Sequence, residues 1–266
     1  MNEVQSAPAS GDFLLLQMPV TIDEVIIHLE KIIDWSKANN NAAGYFATLY
    51  HKVTCKVKEC ISKNEFEDGA RMEKLDVTFA NRYLTAFNFW ISDKQNTSSW
   101  KTAFDSVSDN SSIVLQHLLL GMNAHINLDL GIVTVQVMKG LPLDDIKNDF
   151  NSINAILSAM TDNIEGCLTK INPLMKLLNL EIFNFDEMLV QFSITTARDG
   201  AWQFANELNG KANQDYENCI VARDERIVQL ANSIAKPHGL ILKVILKIIR
   251  LFEKKKVSKV IDFLGE

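Results

Sequence analysis

HLLLGMNAHINLDL, residues 117–130, lies inside a run from about Ser112 to Met138 that is apolar almost all round. A helix on a protein surface carries its apolar residues on one stripe, so one that is apolar on every side is surrounded by other helices. Gly140 and Pro142 end the run. The rest of the chain therefore reads as a shell built around this segment.

Working outward, the pattern stays helical. Thr21 stands where an N-cap belongs, with Glu24 three residues on in capping-box spacing. Val25, Ile26, Leu29, Ile32 and Ile33 then follow a 3.6-residue period until the Asn39-Asn40-Asn41 run. Further helices are expected over about 43–62 and from 68 into the low 90s, with a short one near Trp100–Phe104. A long one spans about 143–179, kinked or broken at Pro173, followed by helices at 186–208, 213–235, 240–253 and 256–264. Eleven Gly and five Pro in 266 residues are few breakers, which favours helices over a many-stranded sheet. No internal repeat and no linker divides the chain. The reading is all-α: residues 1–20 as a flexible tail, and 21–266 as a single multi-helix, bundle-like domain with a buried central helix.

Charge and cysteine content exclude some roles. The formal charge is −6 and no basic stripe dominates, so nucleic acid is not an expected partner. Cys55, Cys60, Cys167 and Cys219 show no CxxC pair and read as buried apolar residues in a reducing compartment. The N-terminal segment lacks a basic n-region, and no apolar stretch approaches the roughly 20 residues of a membrane span, so the expected location is cytoplasmic. In GLILKVILKIIRLF, residues 239–252, Lys243, Lys247 and Arg250 continue to Lys254 as one cationic stripe. Core packing is preferred there over a membrane surface. GxSxG, GxGxxG, P-loop and HExxH patterns are all absent.

The residues that could carry chemistry stand on apolar faces. His117, Gly121, His125 and Asp129 are spaced by four and form one slowly drifting stripe. Mid-helix glycine costs up to about 1 kcal/mol against alanine, which implies close approach of a neighbour or a ligand at Gly121. His125 and Asp129, one turn apart, could share a divalent metal, with Asp76 as a further ligand from another helix. His117 lies roughly 12 Å along the axis from His125 and cannot easily join them. Alternatively, the same residues form a buried hydrogen-bond network. Asp76 sits on an inward stripe with Ala80, Tyr83 and Phe87, and needs a cation or donors. Arg82 points away from that stripe, so Arg198, stacked on Trp202, is the expected partner of Asp76 or Asp129.

LDVTFANRYL (75–84), HLLLGMNAHINLDL (117–130) and RDGAW (198–202) resemble a group of uncharacterised bacterial α-helical proteins catalogued as a domain of unknown function. The resemblance extends from about residue 22 to the C-terminus. It implies that Asp76, Arg82, Tyr83, His117, Asn123, His125, Asp129, Arg198 and Trp202 belong to one shared constellation, and it implies no activity. Helical zinc-dependent phospholipases and nucleases are similar only in HxxxD, and with five histidines this chain lacks their supply of ligands.

The favoured expectation is an enzyme for a small-molecule or lipid-like substrate, its pocket between the 72–90, 112–138 and 186–208 helices. His125 and Asp129 would hold a metal or act as base and orienter, Tyr83 and His117 would place or protonate the substrate, and Arg198 would clamp an anionic group. The rival is a non-catalytic ligand-binding or interaction protein in which these residues are structural.

Overall fold

The computed structural model describes residues 17–174, 194–254 and 256–266. Ten helices are described: α1 (Ile22–Ala38), α2 (Ala43–Ser62), α3 (Gly69–Ile91), α4 (Ser98–Asp105), α5 (Val114–Val137), α6 (Lys147–Ile171), α7 (Ile194–Leu208), α8 (Asn213–Ala235), α9 (Leu240–Phe252) and α10 (Val257–Gly265). Short 3₁₀ turns at Ser106–Ser108 and Leu143–Ile146 precede α5 and α6. No strand occurs among the described residues. They form one all-α bundle, with α5 inside a shell of α2, α3, α4, α7 and α8.

Every α5 residue except Met122, Val135 and Gln136 is buried. By length and composition Val114–Val137 is apolar enough to cross a membrane, contrary to expectation, yet 83% of its most apolar window is buried inside the protein. Two glycines let neighbours close on it. A Cβ at Gly121 would lie 2.5 Å from the Phe46 ring, and one at Gly131 would lie 2.9 Å from the Ala201 carbonyl oxygen.

Local chemistry sets the helix ends. Thr21 caps α1 through the Glu24 N–H at 3.2 Å, while the Glu24 carboxylate reaches back to Val20 rather than closing the box on Thr21. Buried carboxylates from far along the chain receive other N-termini. Asp149 accepts from the Glu67 and Asp68 N–H groups before α3, Asp224 from Ser98 and Ser99 at α4, and Glu253 from Val114 at α5. Each meets backbone donors that an N-terminus leaves unsatisfied, and each ties two distant segments together.

Two boundaries differ from expectation. The helix placed at 143–179 begins as a 3₁₀ turn and ends at Ile171, where Asn172 turns extended ahead of Pro173. Residues 1–16 of the tail, 175–179 and 186–193 lie outside the described residues.

Candidate functional site

The segment that dominates the sequence is not uniform α-helix. His125–Asp129 forms a π turn, with the Leu130 N–H bonded to the His125 carbonyl five residues back. Such a bulge widens the helix by one residue and re-aims the side chains on it. α8 braces the widened turn. The Asn127 carbonyl accepts from Arg223 Nε at 2.9 Å, and Asn123 donates to the Ile227 carbonyl while accepting from Asn127.

Asp129, with no exposed surface, is held on both oxygens. Arg82 Nε lies 2.7 Å from Oδ1 and Trp100 Nε1 lies 2.8 Å from Oδ2. Burial pushes this carboxyl's pKa up, but Arg82, His125 and Trp100 together bring it below the usual range. The expected Arg198 bridge is replaced by Arg82, because a guanidinium on a long stem reaches well beyond the direction of its Cβ. Arg198 instead donates to the Asn154 side chain and the Phe150 carbonyl. It stacks on Phe150 at 4.4 Å, and Lys147, not Arg198, covers Trp202. Burial lowers the Arg198 pKa to about 9.

His125 Nδ1 stands 3.6 Å from Asp129 Oδ2, longer than a hydrogen bond, and neither ring nitrogen has a hydrogen-bond partner among the described residues. Its ring instead lies flat on Phe79, centroids 3.5 Å apart, with Tyr50 edge-on at 4.6 Å. Burial holds the imidazole below its ordinary pKa, against the pull of Asp129.

Asp76, His125 and Arg198 line one cavity of about 100 Å³, walled otherwise almost wholly by apolar side chains. Phe46, Leu49, Tyr50, Val53 and Val57 of α2 form one wall, and Met72, Leu75 and Phe79 of α3 another. Met122, Ile126 and Leu130 of α5, Ile153, Leu157 and Ile164 of α6, and Ile194 of α7 complete it. It opens between the three expected segments, with α2 and α6 as additional walls. Asp76 Oδ2 and the Tyr50 hydroxyl are buried without a hydrogen-bond partner among the described residues. Burial, with Glu73 as a smaller cause, raises the Asp76 pKa to about 7, and burial pushes the Tyr50 phenol well up.

The other expected residues stand apart. Tyr83 and His117 share a separate space of about 20 Å³ with Gly121 and Trp100, and His117 Nδ1 faces Ser106 Oγ at 3.3 Å. Burial lowers the His117 pKa to about 4. No group of three or more His, Cys, Asp or Glu that could hold an ion occurs among the described residues. Cys60 and Cys167 are buried as expected, whereas Cys55 and Cys219 are half-buried, and all four are free thiols. Tyr50 and Phe79 are not among the residues the sequence points to, although Phe79 stands one turn from Asp76, which is.

A family model described as "Family of unknown function (DUF5995)" matches residues 22–237. The chain belongs to this family. The DUF5995 match takes in every candidate site residue and stops before α9 and α10, short of the C-terminal extent the resemblance implies. No curated protein and no solved structure matches the chain at a significant level.

Proposed function

We propose that this member of DUF5995 is a non-catalytic binding protein for a small, largely apolar molecule, or for the leading carbons of a lipid-like one. The observation that carries this is the apolar cavity with Asp76, Tyr50 and His125 at its wall and no hydrogen-bond partner for their buried polar atoms. A buried polar group left unpaired costs about 1–3 kcal/mol, so a ligand bringing one hydrogen-bonding group recovers that energy while its carbons fill the apolar part. At about 100 Å³ the cavity is smaller than the roughly 150 Å³ of an apolar cavity that takes up benzene, so it suits a short chain or the leading carbons of a longer one. On this reading the Arg82–Asp129–Trp100 set is a frame that fixes the π turn rather than a reaction centre. Four free thiols support a reducing, cytoplasmic setting.

Titration with a homologous series of 1-alkanols tests the proposal. Saturable one-to-one binding that strengthens with chain length and then falls off is expected. Absence of saturable binding across the series contradicts it.

One observation favours acid–base chemistry as a second reading: an imidazole with both nitrogens unbonded shares a cavity with a carboxyl whose pKa is raised to about 7. There His125 and Asp76 act on the bound molecule, and His125→Gln abolishes turnover while binding persists. Retained turnover in that variant removes this reading.

A further inference from the structure

Helix α9 carries three distinct stripes. Leu246 and Ile249 are buried against the bundle. Leu240, Val244, Ile248 and Leu251 fall on the outward side at one-turn spacing, joined by Phe252, and they are 79%, 48%, 42%, 70% and 65% exposed. Beside that apolar stripe run Lys243, Lys247, Arg250 and Lys254. A terminal helix packed for stability alone needs only the first of these stripes.

Charge is concentrated here as well. Residues 236–259 contain eight Lys and Arg against the single acid Glu253, in a chain of net charge −6. Glu253 is itself buried and engaged, taking Arg250 Nη1 at 2.8 Å and the Val114 N–H at 3.0 Å. Lys243, Lys247 and Lys254 are exposed next to these aliphatic and aromatic side chains, with Lys236, Lys256 and Lys259 exposed on the flanking segments, while Arg250 is partly buried on Glu253.

We infer that the outward face of α9 docks on an anionic membrane surface. The apolar stripe enters the headgroup–acyl boundary while the neighbouring cations meet lipid phosphates and carboxylates. Neither signal alone holds a protein firmly at a bilayer, but the two together do. A second copy is a poorer occupant, because a two-fold contact through this face brings two cationic stripes together. The inference stands independently of what the cavity binds.

Co-sedimentation of the full chain with vesicles of phosphatidylcholine and phosphatidylserine at low ionic strength tests it. Binding is expected there, with at least a roughly tenfold loss in high salt or on pure phosphatidylcholine. A Leu251→Asp, Phe252→Asp double variant should lose binding with an unchanged Tm, since both side chains are largely exposed. Lys243→Glu, Lys247→Glu should lose it selectively on the anionic vesicles. No binding at low ionic strength overturns the inference, as does undiminished binding by the folded Leu251/Phe252 variant. A concentration-dependent dimer abolished by that same variant, without vesicle binding, overturns it in favour of a self-interface.

Discussion

Arg82 Nε meets Asp129 Oδ1 at 2.7 Å, joining a partly exposed guanidinium on α3 to a carboxylate with no exposed surface on the π turn of α5. With Trp100 on the other oxygen, this contact binds three helices through one side chain. Because Arg82 is partly exposed, water can take up its charge, and removing Asp129 costs about 1–3 kcal/mol, chiefly the stranded Trp100 donor, rather than the full penalty of breaking a wholly buried ion pair. Asp129→Ala should lose that much in denaturant unfolding, and Asp129→Asn less, because an amide still accepts from Trp100. If Asp129→Ala unfolds like the unmodified protein, the frame is not where the stability lies.

Gly121 is present because Phe46 occupies the space of its Cβ. Gly121→Ala forces the ring aside and should destabilise by about 1–3 kcal/mol. Adding Phe46→Leu should restore part of the loss, a coupling that a double-mutant cycle measures directly. Additive losses would mean that the two positions do not meet.

Asp76 gives a pH test. Its folded pKa of about 7 lies above the ordinary carboxyl value of 3.8, so its contribution to stability is full below pH 3.8 and is lost as pH rises through 7. Asp76→Asn cannot ionise and should outlast the unmodified protein above pH 7 by on the order of a few kcal/mol, the gap closing towards pH 4. Chemical denaturation across that range reads the difference. A pH-independent gap would place Asp76 in contact with water or a cation.

His117 has the opposite sign. Its folded pKa of about 4 lies below the ordinary 6.5, so its contribution is present above pH 6.5 and is lost as pH falls through 4. His117→Gln should flatten the acid limb of the stability profile, and an unchanged limb would move the acid sensitivity elsewhere.

Much of this is legible in the sequence, because helices reveal themselves through period and caps: Thr21, the Asn39–Asn41 run and Gly140 mark ends within three residues. The apolar surround of 112–138 likewise announced a central helix. The π turn was not legible, since backbone hydrogen bonding to a fifth residue leaves the apolar pattern intact while turning His125 and Asp129 to different neighbours. The stripe 117–121–125–129 splits in space, His117, two turns before the π turn, to one chamber, His125 to the main cavity and Asp129 to Arg82. The Arg82–Asp129 contact is invisible to a helical wheel, which records where a side chain starts and not how far it reaches.

The central claim is that the cavity under Asp76, Tyr50 and His125 is a ligand site. Isothermal titration of 1-octanol into the unmodified protein and into Val53→Phe, which fills the cavity from α2, tests it most directly. Saturable binding with a negative heat-capacity change, lost in Val53→Phe while its Tm holds or rises, is the predicted result. Equal binding by the two folded proteins, or none by either, would contradict it.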